Sequence, residues 1–451
     1  MITRIEIDDF KSFSGFSLSL TPFTAILGQN ASGKSNLFDA IRFLSRLAEN
    51  DVLQAMRDLR GEPEEFFRKS SSGITSDSMR FSVDVLIDRN VTDPWGISVD
   101  VKQSRIRYDL ELRRIRERGN DRVVVASESA IPISWTNDPW RLNQKRVSRA
   151  FKERFFYLNG RSVPFLETNA ERRSFDLRQD GHAGRSHPAE SAGATILSSV
   201  NSASEFPHQF ALREEMRSWK FIQLDAQALR LPSSFLSPDV LLPDGSNLAA
   251  VIARLSRDAP GRHALSQIVI DLHSIVPQVL DIRIAENSAR KEYDLLISMD
   301  GDNEFSARIV SDGTLRVLAL LALLHDPNHH GVVCYEEPEN GVHPARLAKM
   351  MSRVRDVTID PLADAFDKET ILSQLIVNSH SLVLLDALEA KGSVQKGEAY
   401  YASMKSQIRS GAASRITSME RVTSSSRLAL FEGVGALSSA EVYAHLNREA
   451  S

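Results

Sequence analysis

Apolar and polar residues alternate over the first twenty positions. In TRIEID, Ile5 and Ile7 are interleaved with Arg4 and Glu6; in GFSLSL, Phe16, Leu18 and Leu20 are interleaved with serines. A period of two belongs to a strand with one buried face, so two strands are predicted. PFTAIL is short and apolar, which suits a central strand buried on both faces. The period then changes: Leu37, Ala40, Ile41, Leu44 and Leu47 share one face of a helix that begins near Lys34. MRFSVDVLID returns to a strand. Farther along, NLAAVIARL and GRHALSQIVIDLHSIV are spaced as amphipathic helices and YDLLISM as a strand. TLRVLALLALLHD reads as a strongly apolar helix, and GVVCYEE and SQLIVNSHS as buried strands that end in polar residues. Strands alternating with helices predict an α/β architecture.

The middle of the chain departs from this pattern. KQSRIRYDLELRRIRERGNDR is charged, RLNQKRVSRAFKERFF is strongly basic, and RQDGHAGRSHPAESAG has the composition of a loop or disordered stretch. Residues 101–215 are therefore expected to form a partly basic insertion with its own surface. Residues 1–100 and 216–395 would be the two halves of one α/β unit, and residues 396–451 a C-terminal extension.

Composition narrows the setting. The chain has 451 residues, a formal net charge of −4 and one cysteine, Cys334. The balance of charge gives no whole-chain attraction to nucleic acid or membrane. A lone cysteine can form no disulfide within the chain, which suits a reducing compartment. MITRIEIDDF lacks the apolar core of a signal peptide, and no run of eighteen apolar residues occurs. A soluble cytoplasmic protein with no membrane partner is expected.

Between PFTAIL and the helix lies GQNASGKS, comprising Gly28, Gln29, Asn30, Ala31, Ser32, Gly33, Lys34 and Ser35, with Asn36 following. It matches G-x-x-x-x-G-K-S in full and has the strand–loop–helix context that the motif requires. Two glycines permit a tight loop whose backbone N–H groups wrap phosphate oxygens. The helix start adds a positive dipole end. Lys34 would place an ammonium on the β- and γ-phosphates, and the Ser35 hydroxyl would ligate Mg²⁺. The alternative, a glycine-rich turn that matches by accident, leaves the flanking strand and helix unexplained.

Such a loop calls for an acid at a neighbouring strand end. GVVCYEE supplies Glu336, suited to hold Mg²⁺, and Glu337, suited to orient an attacking water. Adjacent carboxylates repel, and a divalent cation would offset that repulsion. Taken alone, the pair could be a solvated acidic turn.

With SDGTLRVLALLALL, VVCYEEPENGVHP and IVNSHS in this order, and IEIDDFKSF and GQNASGKSN at the start, the chain resembles ATP-binding-cassette-type ATPase domains. More narrowly it resembles the AAA-labelled bacterial proteins near the structural-maintenance-of-chromosomes, recombination-mediator and overcoming-lysogenization-defect ATPases. The resemblance covers roughly residues 1–95 and 216–390. It implies an ABC-type ATPase head that binds ATP and Mg²⁺ and works as a head-to-tail dimer with a second copy of itself. By the same resemblance, Ser311, Asp312 and Gly313 would contact the γ-phosphate of a nucleotide held by the other copy. Without it, Ser311 and Asp312 read as an ordinary helix cap. His380 would be the γ-phosphate sensor, and Glu339 and Asn340 would lie in the segment that meets the second subunit. The family's first acid is usually aspartate, whereas here it is Glu336.

The resemblance further implies a stand-alone ATPase that gates a separate effector protein in anti-phage defence. A nucleotide-gated scaffold with little turnover and a DNA-repair or DNA-maintenance ATPase are the alternatives. For the latter, Arg141, Lys145, Arg146, Arg149, Lys152 and Arg154, beside Phe151, Phe155 and Phe156, could bind DNA by phosphate contacts and stacking, or could be a solvated helix face with core aromatics. His325, His329 and His330 could bind metal, but a surface loop accounts for them as well. No acid cluster of the Asp-x-Asp kind follows His380, so no nuclease activity is expected of this chain.

Overall fold

The computed structural model describes residues 1–70, 73–117, 120–142, 147–158, 163–179, 182–257, 259–301, 303–367, 370–409, 412–424 and 436–447. Two large sheets organise them. The first has seven strands in the order Lys220–Ile222, Gly331–Glu336, Ser373–Ser379, Phe23–Gly28, Ala399–Arg409, Ala412–Thr423 and Ala436–Ser438. The first five are mutually parallel, and Ala412–Thr423 turns back antiparallel to its neighbour. The apolar runs of the sequence are these strands: Phe23–Gly28 is buried along its whole length, and Gly331–Glu336 up to Tyr335.

Alternation along the parallel strands feeds two separate cores. Ile26, Val332, Cys334, Ile376 and Tyr400 point to one face, where the helix Lys34–Leu47 packs with Leu37, Ile41 and Leu44. Ala25, Leu27, Val333, Tyr335, Leu375 and Val377 point to the other, where the helix Asp312–Leu324 packs with Leu315, Leu318 and Leu321. Two buried faces explain why these strands read as continuous apolar runs.

The second sheet has eight strands in the order His182–Pro188, Ser174–Gln179, Leu166–Asn169, Asn120–Pro132, Arg105–Glu117, Ser78–Leu86, Ile2–Asp8 and Phe16–Ser19. All its pairings are antiparallel. Its inner face closes over the helix Lys34–Leu47: Phe10, Phe43, Phe66 and Phe81 meet with ring centroids 5.3–6.5 Å apart. Residues 105–188 thus add strands to the sheet that the N-terminal strands begin. Many of their charges lie on its outer face, where Arg107 bridges Glu6, Asp84 and Asp109, while Glu128 is buried. RQDGHAGRSHPAESAG, expected to be a loop or disordered, contributes the strand His182–Pro188. Its turn composition did not anticipate this, because the pairing comes from Ser174–Gln179 alongside.

Among the described residues no helix is long and apolar enough to cross a membrane. A smaller sheet, in which Glu292–Met299 pairs with Val279–Asn287, Ser233–Ser234 and Asn303–Ser306, packs on the helices Leu248–Leu255 and Ala259–Ile275, which in turn pack on the helix Asp312–Leu324.

Candidate functional site

The phosphate loop is closed by contacts that leave no room for side chains at its two glycines. A Cβ on Gly28 would lie 2.6 Å from the Ala402 carbonyl and 2.9 Å from Ser32 Oγ. Gly33 has φ +92°, and its Cβ would fall 1.9 Å from Thr417 Oγ1. Ala31 is also left-handed, at φ +59°, an uncommon state for a residue with a side chain. Lys34 Nζ donates to the carbonyls of Gly28 and Gln29, both at 2.7 Å. Ser32 Oγ is buried with no hydrogen-bond partner among the described residues. Asn36 Nδ2 donates to Ser12 Oγ at 2.8 Å, and Ser12 Oγ lies 2.6 Å from Thr417 Oγ1. Gln29 Nε2 donates to the His445 carbonyl at 2.9 Å. The C-terminal segment is therefore built directly onto this loop. Ser35 sits half-buried in the first helical turn, while Asn30 and Ala31 are exposed. A tight loop at a helix start, with a buried lysine and an unpartnered hydroxyl, fits the oxygens of a nucleotide phosphate.

Strand register gathers the remaining groups. Glu336 pairs with Asn378, Asn378 with Ile26 and Ser379 with Leu27, so three adjacent parallel strands end together. Gly28, Glu336, Glu337 and His380 thereby share one sheet edge, where α/β proteins collect ligands. Glu336 is half-buried, and burial raises its pKa; Arg60 and Arg42 oppose that rise, while Asp39 and Glu337 add to it. Arg60 Nη2 lies 3.3 Å from Asp39 Oδ1 and 3.6 Å from Glu336 Oε1, and Lys11 Nζ lies 2.8 Å from Asp39 Oδ2. Ser35 and Glu336 are the groups that could hold a divalent cation.

Glu337 has φ +50° and is held there from two sides. Its N–H donates to the Asn378 carbonyl at 3.0 Å and to Asn378 Oδ1 at 3.2 Å. Its Oε2 accepts from Asn340 Nδ2 at 2.7 Å, and its Oε1 lies 3.9 Å from His380 Nδ1. Within this chain Asn340 thus supports Glu337, and Glu339 contacts Ser379 and His380. Ser311 caps the helix Asp312–Leu324, its Oγ accepting from the Thr314 N–H at 3.3 Å. Asp312 pairs with Arg230 at 2.5 Å. A Cβ on Gly313 would lie 2.6 Å from the Gly341 carbonyl, so this loop packs closely on the segment that follows Glu337. The helix that this loop opens packs on the sheet face opposite the helix Lys34–Leu47.

Asp39, Arg60, Lys11 and Asn378 escaped sequence reasoning. Asp39 stands four residues after Ser35, on the same helical face, and is a polar interruption that could have flagged it. Nothing local marks Arg60, which reaches the acids only through the fold.

Other expectations resolve differently. Phe151, Phe155 and Phe156 are buried with Trp140, so they are core residues and cannot stack on bases. The aromatic half of the DNA reading falls with them. Arg149 pairs with Glu153 at 2.6 Å, and Lys145 and Arg146 lie outside the described residues, as does the side chain of Arg141. His343 caps the helix Pro344–Val357, its Nδ1 accepting from the Ala345 N–H. His325 Nε2 lies 2.8 Å from Asp271 Oδ2, and burial lowers the His329 pKa to about 3. No group of three or more potential metal ligands occurs among the described residues.

A glycine-closed loop on a helix start, beside a carboxylate pair and a histidine at neighbouring strand ends, is the arrangement of a P-loop ATPase. The chain belongs to the family described as "AAA domain, putative AbiEii toxin, Type IV TA system", whose model matches residues 23–386. Short segments also match curated chromosome proteins. One is 46% identical over 57 residues to the chromosome partition protein Smc of Methanocaldococcus jannaschii, covering 12% of this chain and 5% of that protein. Another is 51% identical over 45 residues to structural maintenance of chromosomes protein 1 of Arabidopsis thaliana, covering 10% and 4%. This chain therefore matches only about a twentieth of the length of those relatives. Among solved structures, an Smc head bound to the C-winged helix domain of ScpA aligns with a TM-score of 0.47 at 12% identity, covering 92% of this chain and 97% of the other. The Smc head domain with an extended coiled coil from Pyrococcus furiosus aligns at 0.43 and 11%, covering 96% and 98%.

Proposed function

We propose that this chain binds ATP with Mg²⁺, hydrolyses it between two copies arranged head to tail, and thereby gates a separate effector protein. The observation that carries this reading is the common strand edge at which Gly28, Glu336, Glu337 and His380 meet. Lys34 and the loop amides would bind the phosphates, and Ser35 and Glu336 would hold Mg²⁺, which when bound neutralises phosphate charge. Glu337 would orient the attacking water, and His380 would sense the γ-phosphate. The helix opened by Ser311–Gly313 packs on the sheet face opposite the helix of the phosphate loop, and this placement supports a second copy as the partner of Ser311–Gly313. The family's description as a putative toxin of a type IV toxin–antitoxin system supports work alongside a second protein.

Steady-state hydrolysis and solution mass test the proposal together. Glu337→Gln should lower turnover at least about 100-fold while ATP raises the mass of this variant to that of a dimer. Wild-type turnover in Glu337→Gln would remove the assigned role. A variant that stays monomeric with saturating ATP and Mg²⁺ would remove the head-to-tail pair.

A further inference from the structure

The segment after the carboxylate pair supplies a third glutamate, and its contacts differ in kind from those of Glu337. Glu339 Oε1 accepts from Ser379 Oγ at 2.7 Å and from the His380 backbone N–H at 3.0 Å. The same oxygen lies 3.3 Å from His380 Nδ1, whereas Glu337 Oε1 lies 3.9 Å away. The Glu339 side chain is 12% exposed, against 43% for Glu337. Ser379 is itself fixed, its Oγ accepting from the Ser381 N–H at 2.9 Å. Glu339 Oε2 is buried without a hydrogen-bond partner among the described residues. A buried carboxylate oxygen left unpaired lowers stability, and residues that carry such a cost tend to have a functional reason for it.

We propose that Glu339 is the positioning residue of His380. One carboxylate oxygen, anchored by Ser379 and by the His380 main chain, faces Nδ1 and favours a proton there, so that a doubly protonated ring can donate from Nε2 to a phosphate oxygen. The logic is that of a carboxylate that fixes the tautomer and orientation of a working histidine. It divides the acids further: Glu337, exposed and steered by Asn340 and Asn378, faces water, while Glu339 is committed to the histidine. No proton leaves Glu339 in this scheme. The inference rests on the ATPase reading above, in which His380 acts on the nucleotide.

The full chain tests it in steady-state kinetics with Glu339→Gln, Glu339→Asp, His380→Ala and the Glu339→Gln/His380→Ala double variant, alongside Glu337→Gln. Glu339→Gln should lower kcat about 10-fold or more with KM for ATP changed less than about 2-fold. The double variant should turn over within about 2-fold of His380→Ala, since both changes disable one unit. Glu339→Asp should recover part of the loss. Additive losses, or a wild-type kcat in Glu339→Gln, would overturn the proposal. If any variant fails to fold, the imidazole ¹⁵N spectrum of the wild-type chain decides the matter, with the His380 signals assigned by their loss in His380→Ala. A proton on Nδ1, in a neutral or a doubly protonated ring, supports the proposal, and a ring protonated on Nε2 alone overturns it. Loss of turnover in Glu337→Gln together with wild-type turnover in Glu339→Gln sinks this inference alone. Undiminished turnover in Glu337→Gln sinks the ATPase assignment beneath it.

Discussion

The two large sheets bury their side chains in different ways. The parallel sheet has a core on each face, so its three central strands are mostly apolar along their length and their polar residues gather toward the ends. The antiparallel sheet buries its large core on one face, and its other face carries linked ion pairs of Arg4, Glu6, Arg107, Asp84 and Asp109 beside a smaller apolar cluster of Leu86, Trp140 and Phe151. Polar chemistry is thus concentrated at one edge of the first sheet and spread over a surface of the second. Charge density is a poor guide to function here: the most charged strand, Arg105–Glu117, spends its charges on ion pairs, from the buried Arg105–Asp138 to the exposed Arg113–Glu111.

Four perturbations would break or sharpen this contrast. The largest effect is expected in the parallel sheet interior. Ile376 is fully buried on the strand between Gly331–Glu336 and Phe23–Gly28, and Ile376→Ala should cost about 4 kcal/mol in denaturant unfolding. A loss below about 1 kcal/mol would mean that the two-faced core relaxes around the gap. Next is the edge of that sheet. Lys34→Ala should lower ATP turnover at least about 100-fold, or about 3 kcal/mol in barrier, with little change in melting temperature. Retained turnover would contradict the phosphate role of the lysine.

Third is a buried acid in the antiparallel sheet. Glu128 is fully buried and accepts from the N–H groups of Ile196 at 2.6 Å and Leu197 at 3.0 Å and from the Tyr108 hydroxyl at 3.0 Å. Burial outweighs these bonds and pushes its pKa from 4.5 up to about 7. The protonated form is therefore favoured in the fold. Its stabilisation is complete below the unfolded value of 4.5 and is lost as pH rises toward about 7, by up to about 3 kcal/mol. Glu128→Gln should flatten melting temperature against pH across that window, and an unchanged slope would refute it. The smallest effect belongs to the ion-paired surface. Arg80 is 63% exposed and pairs with Glu111 at 3.2 Å. Arg80→Ala should cost less than about 1 kcal/mol and leave turnover unchanged. A larger loss would show that the linked ion pairs act cooperatively.

Much of this was legible beforehand where a local rule was strong. The phosphate loop, its helix and the acid-bearing strand each follow from a short pattern, because a tight loop needs glycine and a doubly buried strand needs an unbroken apolar run. The glycines at 28 and 33 are explained by Ala402 and Thr417, residues almost four hundred positions away, so the motif was visible while its steric cause was not. The middle of the chain shows the same limit of local patterns. Its charges suggested a separate surface, yet half of each strand faces inward, and the strand His182–Pro188 depends on a neighbour rather than on its own composition.

The sequence by itself determined most element types and the chemical groups at the candidate site: a glycine-closed loop, a lysine, a hydroxyl, two acids and a histidine. Local spacing is enough for these, since periodicity and loop chemistry act over a few residues. Only the tertiary structure decided which groups meet. Register across three parallel strands set Glu336, Glu337 and His380 beside Gly28. Long-range packing brought Arg60 to Glu336, Asn378 beneath Glu337 and Glu339 against His380, and it placed the helix opened by Ser311–Gly313 on the far face of the sheet. Strand order and side-chain direction across a sheet arise from the closing of both cores at once, and no window of neighbouring residues contains that information.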